Sequence, residues 1–179
     1  MTQRPVAGGQ LGGQVGLPAV VEELLVEVAA DGFTLYCCGP KAAPHVLVAA
    51  YEWSQHVDLL TIRDFDRVIT ARVPTRDGLD IFAPEVVVWA YEGSPQQAVR
   101  TLLDLVHPAH PDAPIGEYPA PARLHVPRAL QRPMTIRPPS PSRARMRAAR
   151  LATAITPPPV AIVIVAVPVG PLKPRLAAG

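Results

Sequence analysis

The first regular pattern along the chain begins at Pro18. Val20, Val21, Leu24, Leu25 and Val28 recur there at three- and four-residue spacing, and Glu22, Glu23 and Glu27 fall between them. That period belongs to an amphipathic helix, with a proline suited to its first turn and Gly32 in a C-terminal cap position. Strand-like runs come next. Phe33 to Cys38 is apolar and aromatic and stops at Gly39-Pro40; His45 to Trp53 and Val57 to Ile62 follow. Glu85 to Glu92 is a further strong strand, bracketed by Pro84 and Gly93. Residues 65–73 fit two readings. Arg67, Ile69, Ala71 and Val73 alternate with Val68, Thr70 and Arg72, which suits a hairpin partner for residues 57–62. Phe65, Val68, Ile69 and Arg72 would also suit a short helix capped by Asp64. The alternation favours the strand. Ser94 and Pro95 then open a second helix, whose apolar stripe of Ala98, Val99, Leu102, Leu103, Leu105 and Val106 stops before Pro108.

These elements predict an α+β domain over residues 17–112, with one mainly antiparallel sheet of three to five strands and two helices packed on it. The sequence places the whole core in that span, so a chain ending near residue 117 is expected to melt cooperatively. Residues 1–16 are rich in Gly and Gln, read as a disordered leader, and lack the apolar stretch of a secretory signal. Residues 113–179 read as a Pro/Arg-rich tail, mostly disordered. Thirteen prolines in residues 118–179 exclude a continuous helix or central strand over most of that length. Arg143 to Arg150 is a short stretch of helix formers between proline spacers. Val160 to Val169 is an apolar run, read as an edge strand added here or on a partner, or as an aggregation-prone segment. The uncharged window 151–172 contains five prolines and makes a poor membrane anchor. The expected compartment is the cytoplasm.

Charge sharpens the division. The net +2 conceals a body, residues 1–117, with seven bases against fifteen acids (net −8), and a tail, residues 118–179, with ten bases and no acid (net +10). Such asymmetry marks a folded body with an interaction tail. Arg outnumbers Lys fifteen to two alongside heavy use of Ala, Val and Pro, a bias that matches GC-rich coding, so arginine abundance alone is no binding signal. The only cysteines, Cys37 and Cys38, are adjacent and cannot build a disulfide framework or a spaced metal pair; they read as small buried side chains at a strand end.

Candidate chemistry is sparse. Residues 43–52 (APHVLVAAYE) and 83–92 (APEVVVWAYE) agree at seven of ten positions. If both are strands ending at Tyr-Glu, Glu52 and Glu92 sit at comparable strand ends, and a close pair would form an acid/base site. Two solvent-facing strand ends are the plainer reading. His107, His110 and Asp112 carry ligand types suited to zinc or iron, but their spacing matches no helical metal motif, and Pro108 and Pro111 hold the backbone extended. Arg63, Asp64, Asp66 and Arg67 form a charged turn that, with Asp58 and Glu85, could outline a metal-dependent nuclease site; an ion-paired turn fits better, since the core offers only Lys41 as a lysine. No Gly-rich phosphate loop or nucleophile elbow occurs, and no motif implies a cofactor.

The tail arginines, Arg137, Arg143, Arg145, Arg147 and Arg150 above all, could neutralise nucleic-acid phosphates weakly and without sequence preference. No stacking aromatic lies among them. They could equally fold back onto the acidic body or meet a protein partner.

The segments Tyr51-Glu52-Trp53, Ile62 to Arg67, Ala83 to Gly93 and Leu103 to Pro108 resemble small actinomycete proteins of unassigned function, over roughly residues 18–137. The resemblance implies no activity and brings no site. The sequence therefore points first to a non-catalytic interaction or accessory module, then to a nucleic-acid-associated protein acting through its Arg-rich tail, and last to a metal-dependent hydrolase.

Overall fold

A computed structural model describes residues 17–40, 44–138 and 140–155. The leader 1–16 and the Val160 to Val169 run lie outside the described residues. Helix α1 (Ala19–Ala30) forms where the helical spacing lies and buries Val21, Leu25, Val28 and Ala29. Gly32 follows it with φ at 99°, a conformation a side chain would strain.

Four strands then succeed one another as antiparallel hairpins: β1 (Thr34–Cys38), β2 (Val46–Glu52), β3 (His56–Asp64) and β4 (Arg67–Pro74). Residues 67–74 are thus strand, as the alternation favours. The β3–β4 register sets Asp58 opposite Arg72, Leu60 opposite Thr70 and Ile62 opposite Val68.

The run over residues 85–92 is divided in two. β5 (Val86–Val87) leaves to pair with β7 (Tyr118–Pro119), whereas β6 (Trp89–Gly93) adds to β4. The break at Val88 switches faces. Val87 packs with Leu59 and Ala71, although strict alternation from Trp89 and Tyr91 would put it on the opposite side. The two copies of the repeat are therefore unlike: the first is one central strand, the second two short ones. Helix α2 (Pro95–Leu103) starts at Ser94 with Pro95 in its first turn.

The fold does not stop at residue 112. Residues 122–124 and 128–130 form single 3₁₀ turns, β8 (Met134–Arg137) pairs antiparallel with β1, and helix α3 (Pro141–Thr153) follows. Among the described residues the sheet has six strands in the order β6-β4-β3-β2-β1-β8, all antiparallel, where three to five were expected, and there are three α-helices, not two. Proline density misleads here because most of the prolines punctuate short elements: Pro121, Pro127, Pro133 and Pro138 each lie just outside a turn or strand, Pro119 ends β7 and Pro141 opens α3.

Two faces explain why the extension is needed. On one side Leu35, Leu47, Ala49, Tyr51, Leu60 and Ile62 meet α1 and α2. On the other Tyr36, Ala50, Leu59, Ile69, Ala71 and Val73 have no helix to cover them. Leu79, Ile81, Val87 and Leu124 cover one part, and Phe82, Val126 and Leu130 cover Val46 and Val48. Leu124 and Val126 are buried, and each such side chain contributes about 1.5–3 kcal/mol. Leu124→Ala should accordingly cost about 2–4 kcal/mol in urea unfolding, and a chain ending at residue 117 should melt without a cooperative transition. Wild-type-like melting of both would show that residues 118–132 do not belong to the core.

Candidate functional site

The helix-covered face carries, among its apolar residues, two strand charges that the hairpin register places side by side. Asp58 and Arg72 are both 0% exposed. Arg72 donates from Nε to Asp58 Oδ1 at 2.6 Å and from Nη2 to Oδ2 at 2.9 Å, a forked pair. The Trp53 indole donates to Asp58 Oδ2 at 2.8 Å, and Arg72 Nη1 donates to the Val106 carbonyl at 2.7 Å, beyond the end of α2.

Helix α3 brings a second guanidinium to this place. Arg147, 1% exposed, is the only buried side chain of α3. Its Nη1 donates to Asp31, after the end of α1, and its Nη2 lies 3.4 Å from both Asp58 Oδ2 and the Leu102 carbonyl. The guanidinium carbon sits 5.1 Å from the ring centres of Phe33 and Tyr51 and 5.7 Å from that of Trp53, within the range of cation–π attraction. Three rings and two carboxylates thus enclose one arginine head. Its Nε has no hydrogen-bond partner.

The rim is polar. Arg150 Nη2 donates to both Asp31 oxygens at 2.8 and 2.9 Å, Arg143 donates to the Ala29 carbonyl at 3.2 Å, and the Tyr51 hydroxyl donates to the Ala144 carbonyl at 2.7 Å. Burial pushes the Tyr51 phenol up, against the pull of Arg147, which keeps it a donor. Gly32 lets α3 approach this closely: a Cβ there would fall 2.8 Å from the Ala144 nitrogen.

The residues singled out from the sequence are mostly placed elsewhere. Glu52 and Glu92 are not at comparable strand ends. β2 and β6 run in opposite directions with β3 and β4 between them, so the two carboxylates lie toward opposite ends of the sheet. Glu52 is exposed, and Glu92 pairs with Arg67 at 2.6 Å and Arg123 at 3.1 Å. Asp64 of the charged turn is also paired, with Arg123 at 2.6 Å. Asp58 belongs to the buried cluster and not to that turn.

His107 and His110 are tied locally, each Nδ1 accepting a backbone N–H two residues on, from Ala109 and Asp112. His107 packs edge-on against Trp53 at 4.8 Å. Among the described residues no group of three His, Cys, Asp or Glu side chains is placed to hold a metal ion. Of the tail arginines, Arg143, Arg147 and Arg150 turn to the body, while Arg137 and Arg145 are exposed. Cys38 is buried at the end of β1, its thiol pushed up to about 11 by burial and by Cys37.

Sequence reasoning missed the aromatic and acidic enclosure. Asp58 and Arg72 carried a signal, because a hairpin over 57–62 and 68–73 sets them face to face. Asp31 and Phe33 carried none.

His56 and His107 lie beside this cluster, and both are held below the ordinary imidazole value of 6.5, first by burial and then by the charge of Arg72, with Asp58 opposing. The folded chain therefore keeps these rings neutral, while the unfolded chain takes up protons near pH 6.5. Stability should be full above that value and fall as pH drops through it and below. Urea midpoints measured between about pH 5 and 8 should show this slope, flattened in His56→Gln and His107→Gln; an unchanged slope in both would place its origin elsewhere.

No protein-family model matches the chain, and neither the curated proteins nor the solved structures searched contain a match to it.

Proposed function

We propose that the chain is a non-catalytic interaction module, whose binding surface is the acidic and aromatic patch beneath α3 and whose partner is an arginine-bearing helix. The single observation that carries this reading is how α3 is held. A helix that belongs to a core buries an apolar stripe; α3 buries one arginine, and its Met146 is 71% exposed. Its anchoring is polar, made of Arg143, Arg147, Arg150 and the Tyr51 hydroxyl. Such a helix is matched to the body chiefly by charge and hydrogen bonds, with Ala144 its apolar contact, and it is detachable at the cost of uncovering Phe33 and Tyr51.

The nucleic-acid reading ranks behind. Arg123, Arg143, Arg147 and Arg150 already face acids or carbonyls of the body, which among the described residues of the tail leaves Arg128, Arg132, Arg137 and Arg145 exposed and without such a partner. Phosphate binding through these four would be weak and strongly salt-dependent.

The test uses the full-length chain carrying Arg147→Ala, so that its own helix has lost its anchor, and a labelled peptide of residues 140–155. Fluorescence anisotropy should show saturable binding that weakens with added salt and is lost when Asp31→Asn is added. The wild-type chain, whose site is occupied, should bind the peptide at least about tenfold more weakly, since only the fraction with α3 lifted is competent. Absence of binding to a cooperatively melting Arg147→Ala chain would remove this reading.

A further inference from the structure

We infer that the enclosure formed by Asp31, Phe33, Tyr51, Trp53 and Asp58 is a guanidinium-selective binding site, occupied by Arg147 as a resident ligand and open to an arginine side chain or other guanidinium compound when α3 lifts. This rests on the reading of α3 as a detachable helix and adds the chemistry of what replaces it.

Charge gives the sign of the ligand. With α3 in place, Arg72, Arg147 and Arg150 face Asp31 and Asp58, three cations against two anions. Without α3, Arg72 alone faces two carboxylates. Asp58 is fully buried and its forked pair with Arg72 is complete, so the unsatisfied anion of the vacated site is Asp31, with Asp58 Oδ2 in support. The site then calls for one cation.

Shape gives the class. Asp31 and Asp58 come from the end of α1 and near the start of β3, and Arg147 reaches them with two different nitrogens while Phe33, Tyr51 and Trp53 pack around its flat head. A guanidinium is planar, weakly hydrated and forked, so it can address two carboxylates and lie against aromatic faces together. An ammonium is a compact, strongly hydrated point charge and can serve only one of the carboxylates closely. The Leu102 carbonyl adds an acceptor for the second nitrogen.

The fit of the resident is also incomplete. The Arg147 Nε–H is buried without a partner, and its two Nη2 contacts are long at 3.4 Å. A buried donor left unpaired raises the free energy of the docked state, which lowers the cost of lifting α3.

The test titrates methylguanidinium and methylammonium into full-length Arg147→Ala and follows the Trp53 indole N–H by NMR. Methylguanidinium should produce a saturable shift of that signal and a higher melting temperature. Methylammonium should bind at least about tenfold more weakly, and wild type should show neither response at the same concentrations. If Arg147→Ala is unfolded alone, methylguanidinium should restore a cooperative melt; failure to do so counts against the site. Arg147→Lys, which keeps a cation at the position, is the second variant, and methylguanidinium should displace its lysine with the same Trp53 shift. No saturable response in either variant, or equal affinity for the two cations, overturns the inference. A vacated site that takes methylguanidinium but not the 140–155 peptide would sink the interaction reading alone. One that takes the peptide but not methylguanidinium would sink the guanidinium site alone.

Discussion

A carboxylate at zero exposure on the helix-covered face of the sheet sets the terms for much of this fold. Asp58 cannot be solvated there, and an uncompensated buried charge costs several kcal/mol. The first compensation is local, since the β3–β4 register delivers Arg72 in a forked pair. The next ties in other elements. Trp53, just after β2, donates to the same carboxylate, and Arg72 and Arg147 donate to the carbonyls of Val106 and Leu102 at the end of α2. Arg147 then reaches Asp31 beyond the end of α1. One buried acid thus links three strands and the ends of two helices, and replacing Asp58 by Ala would strand Arg72 in an apolar surround.

The opposite face obeys a different constraint. Strands β2, β3 and β4 are buried on both sides, so two coverings are required. The two helices of the body serve one side only. The other is closed by the loop after β4 and by residues 118–132, whose short turns let single apolar side chains drop onto the sheet while prolines hold the connecting backbone. A proline-rich segment can do this without regular structure because the contacts needed are few and widely spaced: Leu124, Val126 and Leu130.

What was legible in the sequence follows from the range of the forces involved. α1, the start of α2 and strands β1 to β4 rest on local periodicity and turn residues and were readable within a residue or two, whereas α2 ends at Leu103, short of the Leu105 and Val106 assigned to its stripe. The 85–92 run looked like one strand because alternation says nothing about where the backbone changes partner at Val88. β8 was hidden because four residues between prolines carry no period, and its pairing with β1 spans about a hundred residues of chain. The site divides in the same way. The Asp58–Arg72 pair lay within reach of a hairpin register. The choice of Arg147 among four arginines spaced along α3 depends on where Gly32 permits close approach, which no local pattern encodes. The likeness of the Glu52 and Glu92 segments was real as sequence and empty as geometry, because an even number of reversals separates β2 from β4 and one more turns β6 around.

The extension is therefore held in two different ways on either side of β8. Residues 118–132 are held by buried apolar side chains, an attraction that is non-directional and little affected by moderate salt. Helix α3 is held by charge and hydrogen bonds, of which the rim contact of Arg150 is open to salt screening over about 10 Å at 0.1 M while the buried contacts of Arg147 are screened much less. A chain that needed α3 only for stability would gain more from an apolar stripe than from a buried arginine, since such pairs rarely surpass well-packed hydrophobic residues of similar volume. Arginine offers specificity instead, because its two nitrogens and its three aromatic neighbours fix one place and register for the helix. The +10 of residues 118–179 and the −8 of the body then have a common meaning. Among the described residues these opposite charges meet where Arg123, Arg147 and Arg150 contact Asp64, Glu92, Asp31 and Asp58.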